Sequence, residues 1–258
     1  MSKRKIIDCI TFFDNTLMFE LRFNILKDYV DYFVICESNF DHRNNPKKLN
    51  FDLKFLREKK IKYIAMERPF PKNSNIWENQ AIQREFLLNF AQSFAEDNDY
   101  IFFSDPDEIP APDILHKFKL KKKYGIFFQK FFNFKFNLFN PYESPWEGTR
   151  VCEKKNLKSI DFMRERVRSK NLKYNFLRID KEKSIEIFNN GGWHFNNIMK
   201  PEKISLKLKT FAHSEFSTDK FSNIDTIKNK IEKKIDLFER GHQYKKVVLD
   251  DSFPKYLI

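Results

Sequence analysis

The stretch Asp99-Tyr-Ile-Phe-Phe-Ser-Asp-Pro-Asp-Glu-Ile-Pro110 decides how the rest of the chain is read. Its apolar and aromatic residues, Tyr100 to Phe103, have strand propensity and no partner positions at helical spacing. The run stops at Ser104, and Asp105, Asp107 and Glu108 follow at once. Pro106 and Pro110 remove backbone donors and bias the residues before them to extended geometry, so neither helix nor sheet passes through. In an extended segment residues i and i+2 face the same way, so Asp105 and Asp107 converge on one point. Carboxylates that close repel unless a positive charge lies between them, and a hard divalent cation with oxygen ligands meets that need. The competing reading is a solvated turn, or an N-cap for a helix over 112–120.

Upstream of this stretch, 5–13 reads as a strand. Asn15 or Thr16 then caps a helix to about residue 30. A buried strand at 32–37, a helix near 49–58, a strand at 61–66 and a long helix over 76–96 follow. Strands alternating with helices predict an α/β fold, a mostly parallel sheet with helices on both faces. Ligands of such sheets sit at the carboxyl ends of strands, where Asp105 lies. Downstream, strands are expected at 125–136, 145–151 and 184–188, with a turn and a buried aromatic step at 189–195. Helices are expected over about 200–215 and 221–240, the second closed by Gly241 as a C-cap.

The whole chain has 258 residues, 41% of them hydrophobic with 31 Phe, which supports a buried core and excludes disorder. Net charge is +12, from 48 basic and 36 acidic residues. Such a balance suits a polyanionic partner, an anionic membrane surface or a phosphate-bearing substrate; the basic residues are dispersed, as a bias toward Lys would also leave them. The three cysteines are far apart. Cys9 and Cys36 sit in strand-like runs and read as small buried residues in a reducing compartment, with no zinc spacing. Segment 6–13 is interrupted by Asp8 and too short for a signal sequence, and Lys130 and Lys135 break the Phe-rich segment 126–139. The expectation is a soluble, cytoplasmic protein without a membrane span, with peripheral contact to an anionic membrane surface as one use of its charge.

Glycine narrows the chemistry. The five glycines, at 125, 148, 191, 192 and 241, leave no Gly-rich strand-to-helix turn in the first hundred residues. Neither GxGxxG nor GxxxxGK can be written. A Rossmann-like sheet without a glycine phosphate loop must hold a diphosphate otherwise, and a metal on Asp105 and Asp107 does so by neutralising a departing nucleoside diphosphate. That is the logic of metal-dependent glycosyltransferases of the GT-A type.

The order of several segments resembles family 17 glycosyltransferases, the group of the β-1,4-mannosyl-glycoprotein β-1,4-N-acetylglucosaminyltransferase. The matching pieces are Ile6-Ile-Asp-Cys-Ile-Thr-Phe-Phe-Asp14 with Glu20 and Arg22, Val30-Asp-Tyr-Phe-Val-Ile-Cys-Glu-Ser38, and Gln83-Arg84. They continue with Asp105-Pro-Asp-Glu-Ile-Pro110, Gly192-Trp-His194 and Lys209-Thr-Phe-Ala-His-Ser-Glu215. The resemblance implies a GT-A-like catalytic domain over 1–216, with a nucleotide-sugar half (about 1–110), an acceptor half (about 111–216), and a helical extension of the same domain over 217–258. It implies an inverting transfer of a sugar, GlcNAc by family lean, from a UDP-sugar to a glycan or glycolipid hydroxyl, in glycan biosynthesis and without nucleic acid. Asp105 and Asp107 would hold Mn²⁺ or Mg²⁺ against the diphosphate, with His213 or His194 as a further ligand. Asp8, Glu37, Arg84 and Trp193 are candidates for donor contacts. Glu215, then Glu108 and Glu147, are candidates for the base that takes the acceptor proton. Two other readings stand beside this one. A metal-dependent nuclease or phosphotransferase would use the charge on a nucleic-acid backbone. A non-catalytic carbohydrate-binding protein would stack sugars on Trp77, Trp146 and Trp193.

Overall fold

The computed structural model, which describes residues 4–210 and 218–258, begins with the expected alternation. Strand β1 (Ile6–Phe12) leads to helix α1 (Thr16–Leu26), β2 (Tyr32–Ser38), β3 (Ile61–Met66), α2 (Ile76–Gln92) and β4 (Tyr100–Ser104). The short β5 (Glu108–Pro110) and α3 (Pro112–Leu115) follow, then β6 (Tyr124–Asn133), β7 (Leu138–Phe139), β8 (Trp146–Glu153), β9 (Ile185–Phe188) and β10 (Gly192–Asn196). The remainder holds α4 (Pro201–Thr210), α5 (Asp219–Ser222), α6 (Ile224–Lys233) and β11 (Lys245–Lys246). The helix expected near 49–58 is only a 3₁₀ turn at Leu53–Arg57. The step at 192–195 proves to be strand β10.

Period-two alternation builds two cores on the two faces of the sheet. Ile7, Cys9, Val34, Cys36, Ile101 and Phe103 meet Leu87, Leu88 and Ala91 of α2 on one side. Ile10, Phe33, Ile35 and Phe102 meet Phe19, Phe23 and Leu26 of α1 on the other. Burying each large side chain contributes about 1.5–3 kcal/mol. Helix α2 starts at a capping box: Asn75 accepts from the Trp77 and Glu78 amides, and Glu78 accepts from the Asn75 amide at 2.7 Å. All three cysteines are free and buried, as the strand reading required of Cys9 and Cys36. Cys152 lies on β8 with its thiol 3.4 Å from Met163 Sδ.

The sheet runs β11-β7-β6-β8-β4-β1-β2-β3. Strands β3, β2, β1 and β4 form a parallel block. Beyond β4 the sheet continues through antiparallel pairing with β8 and β6, and β6 also takes β9 and β10 in parallel. The parallel reading therefore describes the first hundred residues, whose connections carry helices. The second half is joined largely by turns and loops.

The helical extension proposed for 217–258 is corrected. Asn223 breaks it by capping α6, accepting from the Asp225 and Thr226 amides. Helix α6 ends at Lys234 in the left-handed region, φ 57°, and not at Gly241. From there the chain is mostly irregular and returns across the sheet. Ser252 O accepts from Trp193 Nε1, and the Phe253 ring lies 5.2 Å from that of Phe132.

Gly192 fixes where β10 meets β5. Its φ is +119°, and a Cβ there would lie 2.1 Å from the Ile109 carbonyl oxygen. Gly192→Ala is expected to lower stability by about 2 kcal/mol or more, read as a shifted urea midpoint. An unchanged midpoint would show that the β5–β10 junction yields freely.

Candidate functional site

A cleft of about 290 Å³ opens at the carboxyl ends of the parallel strands. Its floor carries the loops after β1 (Phe13, Asp14), β2 (Phe40, His42) and β4 (Asp105, Asp107). Trp77 and Gln83 from α2 form one wall; His194 and the α4 residues Lys203 and Lys207 form the other. Parallel strands end together, so the loops that follow them share one edge. This is why residues so distant in sequence meet.

The acidic turn is rigidly held. Glu108 N donates to Asp105 O at 2.9 Å, and the Glu108 carboxylate accepts from Asp105 N at 3.0 Å. That carboxylate also accepts from Trp146 Nε1 at 2.7 Å and from both Nη atoms of Arg164. Glu108 is fully buried and its oxygens are occupied. It is a structural anchor that does not line the cleft.

Beneath the turn lies a buried ion pair. Arg22, on α1, donates to both oxygens of Asp8, to Ser104 Oγ at 3.0 Å and to the Glu108 carbonyl. One guanidinium thus ties the middle of β1, the end of β4 and the start of β5. Asp8, a candidate donor contact, faces Arg22 and not the cleft. Glu37 is likewise buried, accepting from Lys47 Nζ, the Asn50 and Phe51 amides and Tyr63 OH. It holds the 47–51 loop.

Asp105 and Asp107 diverge in role. Asp105 turns toward Arg164 at 2.9 Å and Arg84 at 3.6 Å. Burial opposes its charge, yet the two guanidinia prevail and hold its carboxyl below the usual range. Arg84 is itself buried, paired with Asp161 at 3.1 Å and placed over the Phe103 ring. Asp107 faces the cleft. His194 Nε2 lies 3.4 Å from its Oδ1 and Lys207 Nζ 4.0 Å from its Oδ2. Burial again works against the charge, and His194 with Lys207 holds the carboxyl well below its ordinary value.

A divalent cation fits this arrangement in part. The Asp107 oxygens and His194 Nε2 converge on the cleft, a mixed oxygen and imidazole set that suits Mn²⁺. Asp105 lines the same cleft but is held by Arg164 and Arg84, and among the described residues no group of three or more His, Cys, Asp or Glu would hold an ion alone. Ligands from outside the described residues would have to complete the coordination. His213 and Glu215 lie outside the described residues.

Trp193 is buried with its indole N–H on Ser252 O, away from the cleft. Trp146 serves Glu108, which leaves Trp77 as the one of the three tryptophans that lines the cleft. Glu147 accepts from Arg150 at 3.0 Å and from Ser169, and lines a separate polar cavity with Trp146, Arg164 and Arg168. Sequence reading missed Arg164 and Lys207. Arg164 acts from a π-helical turn, Phe162–Arg166, remote in sequence from the carboxylates, and gave no signal. Lys203 and Lys207 did give one, four apart on a helix and so on one face.

The family model for Glycosyltransferase family 17 matches residues 1–248. The β-1,4-mannosyl-glycoprotein 4-β-N-acetylglucosaminyltransferases of Rattus norvegicus and Homo sapiens are each 30% identical to this chain over 122 residues, 43% of the chain. The match covers 22% of either relative, so the chain spans about a fifth of their length. Among solved structures, a glycosyltransferase involved in the glycosylation of the major capsid of PBCV-1 aligns at 11% identity and TM-score 0.34, over 72% of this chain and 81% of that one.

Proposed function

Because the chain belongs to glycosyltransferase family 17, we propose that it moves a sugar, GlcNAc by analogy with the named relatives, from a UDP-sugar to a glycan or glycolipid hydroxyl. The observation that carries this reading is the meeting of Asp107, His194 and Lys207 at the carboxyl ends of the parallel strands. An acidic pole beside an ammonium, in a cleft lined by Phe13, Phe40 and Trp77, suits a diphosphate flanked by a flat base.

In this reading the uracil lies against the aromatic wall and the diphosphate against Lys207. Asn196 and Asn197 accept from Lys207 Nζ at 3.3 and 3.0 Å, which aims the ammonium along the wall of the cleft. A Mn²⁺ or Mg²⁺ ion, held by Asp107 and His194, would supply further charge neutralisation as UDP leaves. Arg84 and Arg164 act from behind: by holding Asp105 and Glu108 they fix the turn that presents Asp107. Transfer with inversion needs a carboxylate to take the acceptor proton. Glu108 and Glu147 are committed to structural partners, so Glu215 is proposed for that role.

The test is thermal stabilisation by a panel of nucleotide sugars, with Mn²⁺ and with EDTA. A ligand that binds only the native state raises the apparent midpoint in proportion to RT ln(1 + [L]/Kd). One UDP-sugar is expected to stabilise the protein in Mn²⁺ and to lose most of that effect in EDTA. No stabilisation by any member under either condition would remove the donor site from this cleft.

A further inference from the structure

The structure assigns the loop 169–183 as a docking element for an anionic lipid surface. Among the described residues it is where large apolar side chains are most fully exposed. Ile179 is 94% exposed, Phe176 81% and Leu177 71%, with Leu172 and Tyr174 also exposed beside them. A soluble surface tolerates single exposed apolar residues; a contiguous group of them marks a contact.

The loop is built to present this group. Asn171 is buried at its base and donates through Nδ2 to Arg166 O at 2.7 Å and Glu182 O at 3.1 Å, pinning both ends of the excursion. Within it, Arg178 N donates to Asn175 O, Leu177 N to Asn175 Oδ1 and Lys181 N to Arg178 O. The tip is thus a series of closed turns on which Phe176, Leu177 and Ile179 stand exposed. A projecting apolar tip suits insertion into a layer that deforms around it.

Charge selects the partner. Segment 166–183 carries seven basic residues against two acidic ones. Lys170, Lys173 and Arg178 are exposed around the apolar tip. A second copy docking tip to tip would bring these cations together, since a two-fold contact matches a patch with itself. An anionic bilayer accepts both features at once, the apolar tip below the headgroups and the cations among them. The loop begins at Ser169, which bonds Glu147 in the wall of the polar cavity beside Trp146. Docking would bring that cavity toward the lipid, which suits an acceptor carried on a lipid. The docking assignment does not depend on the transfer reading.

The experiment is cosedimentation of the full chain with phosphatidylcholine vesicles, with and without phosphatidylglycerol. The protein is expected to sediment with the anionic vesicles and to be released by added salt. Phe176→Ser/Leu177→Ser/Ile179→Ser is expected to lower the partition coefficient about tenfold or more, with an unchanged unfolding midpoint because these side chains pack against little. Lys170→Glu/Lys173→Glu tests the charge separately and should weaken binding most at low salt. Wild type left in the supernatant at low salt, or a triple variant that sediments like wild type, overturns the assignment. So does a wild-type dimer that the triple variant converts to monomer, since a second copy would then be the occupant.

Discussion

Replacing Asp107 by asparagine is expected to lower sugar transfer by about 10²- to 10³-fold, the loss seen when one preorganised group facing developing charge is removed. Asparagine keeps the size of the side chain and can still meet His194, so the fold should survive. What disappears is the negative pole that His194 and Lys207 face across the cleft. The donor-dependent thermal shift in Mn²⁺ should fall with the activity. A variant retaining near-normal kcat and metal dependence would sink Asp107 as the acidic pole and return attention to Asp105. Stability carries a second signature. The folded carboxyl is held well below its usual value near 3.8, so its ionised form stabilises the native state fully above that pH. The advantage fades as pH falls through the folded value. The stability gap between wild type and Asp107→Asn should therefore shrink as pH falls below about 4, as read by urea unfolding.

Replacing Arg22 by methionine should produce the largest stability loss in the chain, about 3–5 kcal/mol, because Asp8 would remain as an uncompensated buried charge. Asp8 is 1% exposed and Arg22 fully buried, so water cannot fill the role. Combining Arg22→Met with Asp8→Leu removes both charges and is expected to recover part of the loss. Transfer should not recover with it. The Glu108 carbonyl and Ser104 Oγ still lose their donor, and with it the geometry of the turn that carries Asp107. A double variant with full activity would show that Arg22 matters only as a counter-ion. If Arg22→Met alone leaves the urea midpoint unchanged, the pair is not what closes the space under the turn.

The parallel block was legible because it obeys short-range rules. Apolar runs of strand length, helical periodicity between them and the cap at Asn15 each report on their own neighbourhood. The placement of the cleft followed, since Asp105 and Asp107 come directly after β4. What each carboxylate does was not legible. Asp8, Glu37 and Glu108 look like ligands in one dimension, yet each is satisfied by a partner 10 to 56 positions away. Arg164 reaches the turn from the far side of β8, and no local pattern encodes such a reach. The C-terminal region shows the opposite failure. A long helix is expected there, but α6 closes at the left-handed Lys234, whose N–H bonds the Ile231 and Lys230 carbonyls, and the chain goes back over Phe132 and Trp193.

With every thiol sequestered, alkylation of this protein is gated by its own opening. The attacking species is the thiolate, and burial pushes Cys36 up to about 12 and raises Cys9 and Cys152 as well. Labelling rates under native conditions then report the population of open states, site by site. Cys9 and Cys36 answer for the interface between the sheet and α2, whereas Cys152 rests on Ile160 and Met163. The segment over Cys152 is the one that carries Arg164. Modification of Cys152 ahead of the other two would mean that the arm gripping Asp105 and Glu108 detaches while the parallel block stays closed. Simultaneous modification would mean that site and scaffold open as one cooperative unit.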